Sequence, residues 1–114
     1  MNVIVENSAN LAMNYIFYYN LGYSLKNAVE TDDDIRFYIN KLAEFPYMGR
    51  YVTEISDKHF REIIYKKTRK SYYRIIYYIS ELSDTIYVLN ILNSKQDFYN
   101  FLKSNDYFKN YFKF

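Results

Sequence analysis

The nine residues at 72–80, YYRIIYYIS, constrain this chain more than any other stretch, because they are apolar on both alternating faces. A strand of that kind belongs in the middle of a sheet. One residue breaks the pattern. Arg74 sits inside the run, so the fold must either pair its charge or present it to an anion.

The flanking segments fit around this strand. Residues 60–67 (FREIIYKK) and 85–92 (TIYVLNIL) read as further strands, and the polar ELSD at 81–84 reads as the turn of an antiparallel hairpin. NVIVE at 2–6 alternates well enough for a short strand, and 51–55 reads as a short extended segment. Ser8 offers a helix N-cap, and Leu11, Ala12, Tyr15, Ile16, Tyr18 and Tyr19 recur at helical spacing. A helix therefore runs from about Ala9 past Tyr19, with Gly22 ending or bending it. Residues 23–31 fit either an extension of that helix or a loop. Asp32, Asp33 and Asp34 then stand where acids face the positive end of a second helix, whose apolar stripe is Ile35, Tyr38, Ile39 and Leu42. Pro46 and Gly49 stop it. From Lys95 on, Phe98, Phe101, Leu102, Asn105, Phe108 and Phe112 keep helical spacing, which gives a third helix.

The expected fold is α+β: a small antiparallel sheet made of a strand, a two-helix hairpin and three to four strands, with helices on one face and a C-terminal helix. With 114 residues, the chain has the length of a single domain, 1–114. The chain has no cysteine and one histidine, His59, so thiolate and multi-histidine metal sites are excluded, and no cofactor is implied. The opening MNVIVENSAN has no basic segment and no apolar run approaches a bilayer span, so the expected location is cytoplasmic, with no membrane partner.

Charge supplies the functional lead. Residues 58–74 hold seven Lys/Arg (Lys58, Arg61, Lys66, Lys67, Arg69, Lys70, Arg74) against Glu62 alone, within a chain of net charge +2. Lys66, Lys67, Arg69 and Lys70 crowd five positions, and like charges so placed are best stabilised opposite an anion. Strands on either side of them suggest cations held on a scaffold, presenting one concentrated positive face to a polyanion. Arg74 fits either a phosphate ligand or a semi-buried structural arginine paired with Glu54 or Glu62. Glu54 fits a solvated strand-end residue as well as a catalytic base, and His59 reads as a surface residue.

The succession SANLAMNYI, INKLAEFPYMGR (39–50), Glu54, YYRIIY (72–77) and IYVLNILNSKQDF (86–98) resembles the RelE/ParE superfamily of toxins from type II toxin–antitoxin systems. The most specific pieces are Leu42, Pro46, Gly49 and Arg50, and the strand motif Tyr73, Arg74 and Tyr77. RelE-like members are ribosome-dependent mRNA endoribonucleases, whereas ParE-like members poison DNA gyrase without cutting nucleic acid. Members of either kind are silenced by a small antitoxin protein. If the chain is an enzyme, the resemblance implies a metal-independent endoribonuclease, or mRNA interferase. Arg74 would contact the phosphate, Lys67 would supply a catalytic cation and Glu54 would act as base. Lys66, Arg69, Lys70, Arg50, Lys95 and Tyr73 would hold RNA, and Tyr73 or Tyr99 would stack on a base. The chain departs from that pattern at Ser94, Lys95 and Gln96, which stand where RelE has Gly-Lys-Arg. Asn93 stands where many ParE-like members have histidine, and no general acid is evident. The dense cations before Arg74 place the nuclease slightly ahead of the gyrase inhibitor. A third reading is an inactive member that only binds its antitoxin. The aromatic-rich C-terminal stretch suits burial against an antitoxin or a second copy, as a homodimer or hetero-oligomer.

Overall fold

The computed structural model describes residues 1–94 and Gln96. The chain runs β1 (Asn2–Val5), α1 (Asn7–Leu21), α2 (Leu25–Lys41), β2 (Arg50–Tyr51), β3 (Phe60–Lys66), β4 (Tyr72–Ser80) and β5 (Thr85–Asn93). One sheet takes the order β1-β5-β4-β3-β2, so the doubly apolar run is its middle strand. β2 through β5 pair antiparallel, and β1 lies parallel to β5, with Asn2 opposite Thr85 and Val5 opposite Val88. The architecture is α+β, as expected, with that one parallel edge. The expected third helix, together with Lys95 and Tyr99, lies outside the described residues.

Strand alternation splits the apolar residues of β4 into two clusters. Tyr73, Ile75, Tyr77 and Ile79 face the helices, meeting Ala9, Met13 and Ile16 of α1 and Ile35 and Ile39 of α2. Ile76 and the partly buried Tyr78 face the other way, where Val52 and Ile55 from the segment before β3 cover them together with Phe60 of β3 and Leu89 and Leu92 of β5. Arg74 belongs by alternation to this second face.

Two local expectations change. Ser8 is not the cap of α1, which starts at Asn7 with Glu6 in the cap position. Its hydroxyl instead donates to the Leu89 carbonyl and pins the helix to β5. α2 begins well before the aspartates, because Ser24 caps it by accepting from the Asn27 amide at 3.0 Å. Residues 25–31 are its first turns, and the three aspartates fall inside it rather than at its positive end. Asp32 pairs with Arg36 at 2.8 Å, and Asp34 accepts from the Tyr65 hydroxyl at 2.7 Å. Burial, reinforced by that bond, pushes the Tyr65 hydroxyl well above the ordinary tyrosine range.

The residues after α2 lock the sheet edge. The Tyr77 hydroxyl donates to the Pro46 carbonyl at 2.9 Å and accepts from the Gly49 amide at 2.9 Å. A Cβ at position 49 would lie 2.5 Å from that hydroxyl and 2.7 Å from the Glu62 carbonyl oxygen, so only glycine fits.

Candidate functional site

Local structure sorts the seven cations of 58–74 into separate environments. β3 and β4 pair Ile64 with Arg74 and Lys66 with Tyr72, which puts Lys66 and Arg74 on the face away from the helices. Arg74 does not present its charge there. Its Nη1 and Nη2 each donate to Glu54 at 2.9 Å, and its Nε donates to Glu62 at 2.6 Å. The Arg74 side chain is 14% exposed and that of Glu62 0%. Arg50 reaches the other Glu62 oxygen at 2.9 Å, so the clamp is a chain of two arginines and two carboxylates. Burial alone would lower the Arg74 pKa, but the hydrogen bonds and charges of Glu54 and Glu62 outweigh it and raise the value. The Arg74 hydrogen bonds hold the Glu54 carboxyl below the ordinary range against its own desolvation.

Lys67 occupies the opposite side. Its ammonium donates to Asn27 Oδ1 and Thr31 Oγ1 of α2, and to Asn20 Oδ1 of α1 at 3.4 Å. Asn20 is itself buried, donating to the Ile16 carbonyl at 2.8 Å and to the Tyr73 hydroxyl at 3.4 Å. Desolvation pushes the Lys67 pKa down, against the pull of Glu30 and Asp34. Asn20, Asn27 and Thr31 were missed by the sequence reading. One signal was available, because Asn20 stands four residues after Ile16 on the buried stripe of α1, where a polar side chain needs a partner.

Arg61 is also engaged. Its guanidinium lies 4.5 Å from the Tyr51 ring centroid and 5.3 Å from that of Tyr47, and it donates to the Tyr47 and Gly49 carbonyls at 3.1 and 2.8 Å. Lys58 lies 5.9 Å from the Tyr51 ring. Among the described residues, Lys66, Arg69 and Lys70 are exposed and form no ion pair. His59 is a surface residue, with its Nδ1 2.7 Å from Asp57 and its ring stacked on Tyr78.

The single positive face expected from the sequence is therefore divided. Arg74, Glu54, Arg50 and Lys66 share the side away from the helices, Lys67 and Tyr73 the side toward them, and Arg69 and Lys70 the exposed turn between β3 and β4. In-line attack on a phosphate needs a cation at the phosphoryl oxygens and a proton acceptor within reach. Here the arginine and the carboxylate of the first group already satisfy each other.

A family model described as "ParE toxin of type II toxin-antitoxin system, parDE" matches residues 7–98. No curated protein matches the chain. No helix among the described residues is long and apolar enough to cross a membrane.

Proposed function

Since this chain belongs to the ParE toxin family of type II toxin–antitoxin systems, we propose that it acts by binding, as an inhibitor of DNA gyrase, rather than by cutting RNA. The family implies an antitoxin partner, and the gyrase target is our reading. The observation that carries it is the clamp on Arg74, whose guanidinium is held by Glu54 and Glu62 while Lys67 is turned to the other side of the sheet. The groups that a nuclease would draw together are thereby kept in two places, one paired with carboxylates and the other hydrogen-bonded to neutral helix side chains. Binding to a large protein needs no such convergence.

Reading the chain as a ribosome-dependent mRNA endoribonuclease draws on Lys66, Glu54 and Arg74 sharing one face. It requires Glu54 to leave Arg74 when the phosphate arrives. One assay separates the two. Purified protein is added to a gyrase supercoiling reaction and to a translating extract, with supercoiling and message integrity both measured. Blocked supercoiling with intact messages is expected. Cut messages with unchanged supercoiling would reverse the assignment, and no effect on either would leave only the antitoxin-binding role.

A further inference from the structure

We propose that the groove between α1 and the β3–β4 turn is a binding site for single-stranded nucleic acid. An unpaired base would stack on Tyr15 and Tyr19, and the adjoining phosphates would lie against Arg69 and Lys70. The groove is lined by Tyr15, Tyr19, Tyr73, Ser71, Asn93 and Ser94, and it continues along α1 through a second cavity that shares Tyr15 and Asn93. Tyr15 and Tyr19 are 67% and 55% exposed. Separated by four residues, they stand one turn apart on the helix, and the Tyr19 ring is steadied by an edge contact with Tyr23, centroids 5.8 Å apart. The hydroxyls of Ser71 and Ser94 can each donate to and accept from a base edge.

The backbone of the turn that carries Arg69 and Lys70 is held in place by hydrogen bonds. The amides of Lys67 and Thr68 donate to the Ser71 carbonyl at 3.0 and 3.1 Å, and the amides of Lys70 and Ser71 donate to the Thr68 hydroxyl at 3.3 and 3.1 Å. The Lys67 ammonium ties the turn to both helices. Ser94 Oγ reaches the Lys70 carbonyl at 3.5 Å, which joins the turn to the end of β5. A fixed cationic turn beside exposed aromatic rings and a hydrogen-bonding floor matches the chemistry of an unstacked strand. An acidic peptide would engage the cations alone and has no need of the rings. A duplex, with its bases stacked inside, cannot reach them. The site lies on the helix side of the sheet, away from Arg74, and does not depend on the gyrase reading.

The test uses the full chain and fluorescein-labelled ten-nucleotide strands of dT and dA, with a ten-base-pair duplex as control, followed by anisotropy over a range of salt. Single strands should bind more tightly than the duplex. Replacing Tyr15 and Tyr19 together by alanine should weaken single-strand binding about tenfold or more at unchanged salt slope. Replacing Arg69 and Lys70 together by serine should instead reduce the slope of log K against log salt by roughly 1.4, about 0.7 per released phosphate contact. All four side chains are exposed, and circular dichroism checks that the variants fold. Equal affinity for duplex and single strands would overturn the proposal. So would loss of binding in the serine variant with none in the alanine variant, which is the behaviour of an acidic-segment site, or no binding at low salt.

Discussion

Arg74 and Lys67 lie seven positions apart in a stretch that reads as one basic cluster, yet the fold treats their charges in opposite ways. Arg74 is compensated by carboxylates, one of them fully buried. Lys67 is compensated by neutral oxygens from two helices, and no carboxylate lies within ion-pair distance among the described residues. The difference lies in what remains when the cation is removed. Without Arg74, Glu54 loses its arginine partner and buried Glu62 keeps only Arg50. Without Lys67, the amides and hydroxyl left behind can turn to one another or to water. A cluster counted from sequence thus contains cations that hold the fold and cations that face solvent, and only the second kind are available to a partner.

The largest effect should separate the two regions directly. Arg74→Met is expected to destabilise the protein by about 3–5 kcal/mol, the usual consequence of removing one partner from a buried ion pair. Urea denaturation would measure it, and a loss below about 1 kcal/mol would break the contrast. Glu54→Gln should remove about 1–2 kcal/mol by weakening the charge-assisted bonds to Arg74.

The same variant sharpens the comparison through pH. Because the folded Glu54 pKa is lowered, its contribution is complete above the ordinary carboxylate range and is lost as the pH falls through the lowered value. The acid limb of stability in Glu54→Gln should therefore be shallower than in wild type. Lys67→Met is expected to cost about 1 kcal/mol, and its signature has the same sign but falls at the alkaline end of the pH range. The folded Lys67 pKa is lowered, so the folded state binds fewer protons than the unfolded state as the pH approaches the ordinary lysine range. Wild type should gain on this variant with rising pH in paired thermal melts. Arg69→Ser with Lys70→Ser gives the smallest shift, within about 0.5 kcal/mol, since exposed side chains away from caps and networks rarely matter to stability.

Much of the fold was legible because its determinants are local. The doubly apolar run at 72–80 identified the middle strand, and ELSD identified its hairpin turn, where Asp84 takes a positive φ of 50°. The start of α2 was not legible from the three aspartates, since the capping bond at Ser24 outranks their preference for a helix start. The direction of β1 was hidden as well, because it depends on where the whole chain returns rather than on any property of NVIV. At the site, the sequence supplied the cations and also the candidate partners Glu54 and Glu62. It could not say which face each would take. That depends on the register of β3 against β4, and on a turn that carries Lys67 to the helix side while Lys66 stays on the other. The motif residues Pro46 and Gly49 carried the family resemblance, and in the structure they seat the Tyr77 hydroxyl.

The anchoring of Lys67 has one more consequence. Because a single ammonium joins the β3–β4 turn to α1 and α2 together, those three pieces form one mechanical unit. Anything that seizes the turn also grips the helical hairpin, and a tug on either helix is felt at the turn without passing through the sheet.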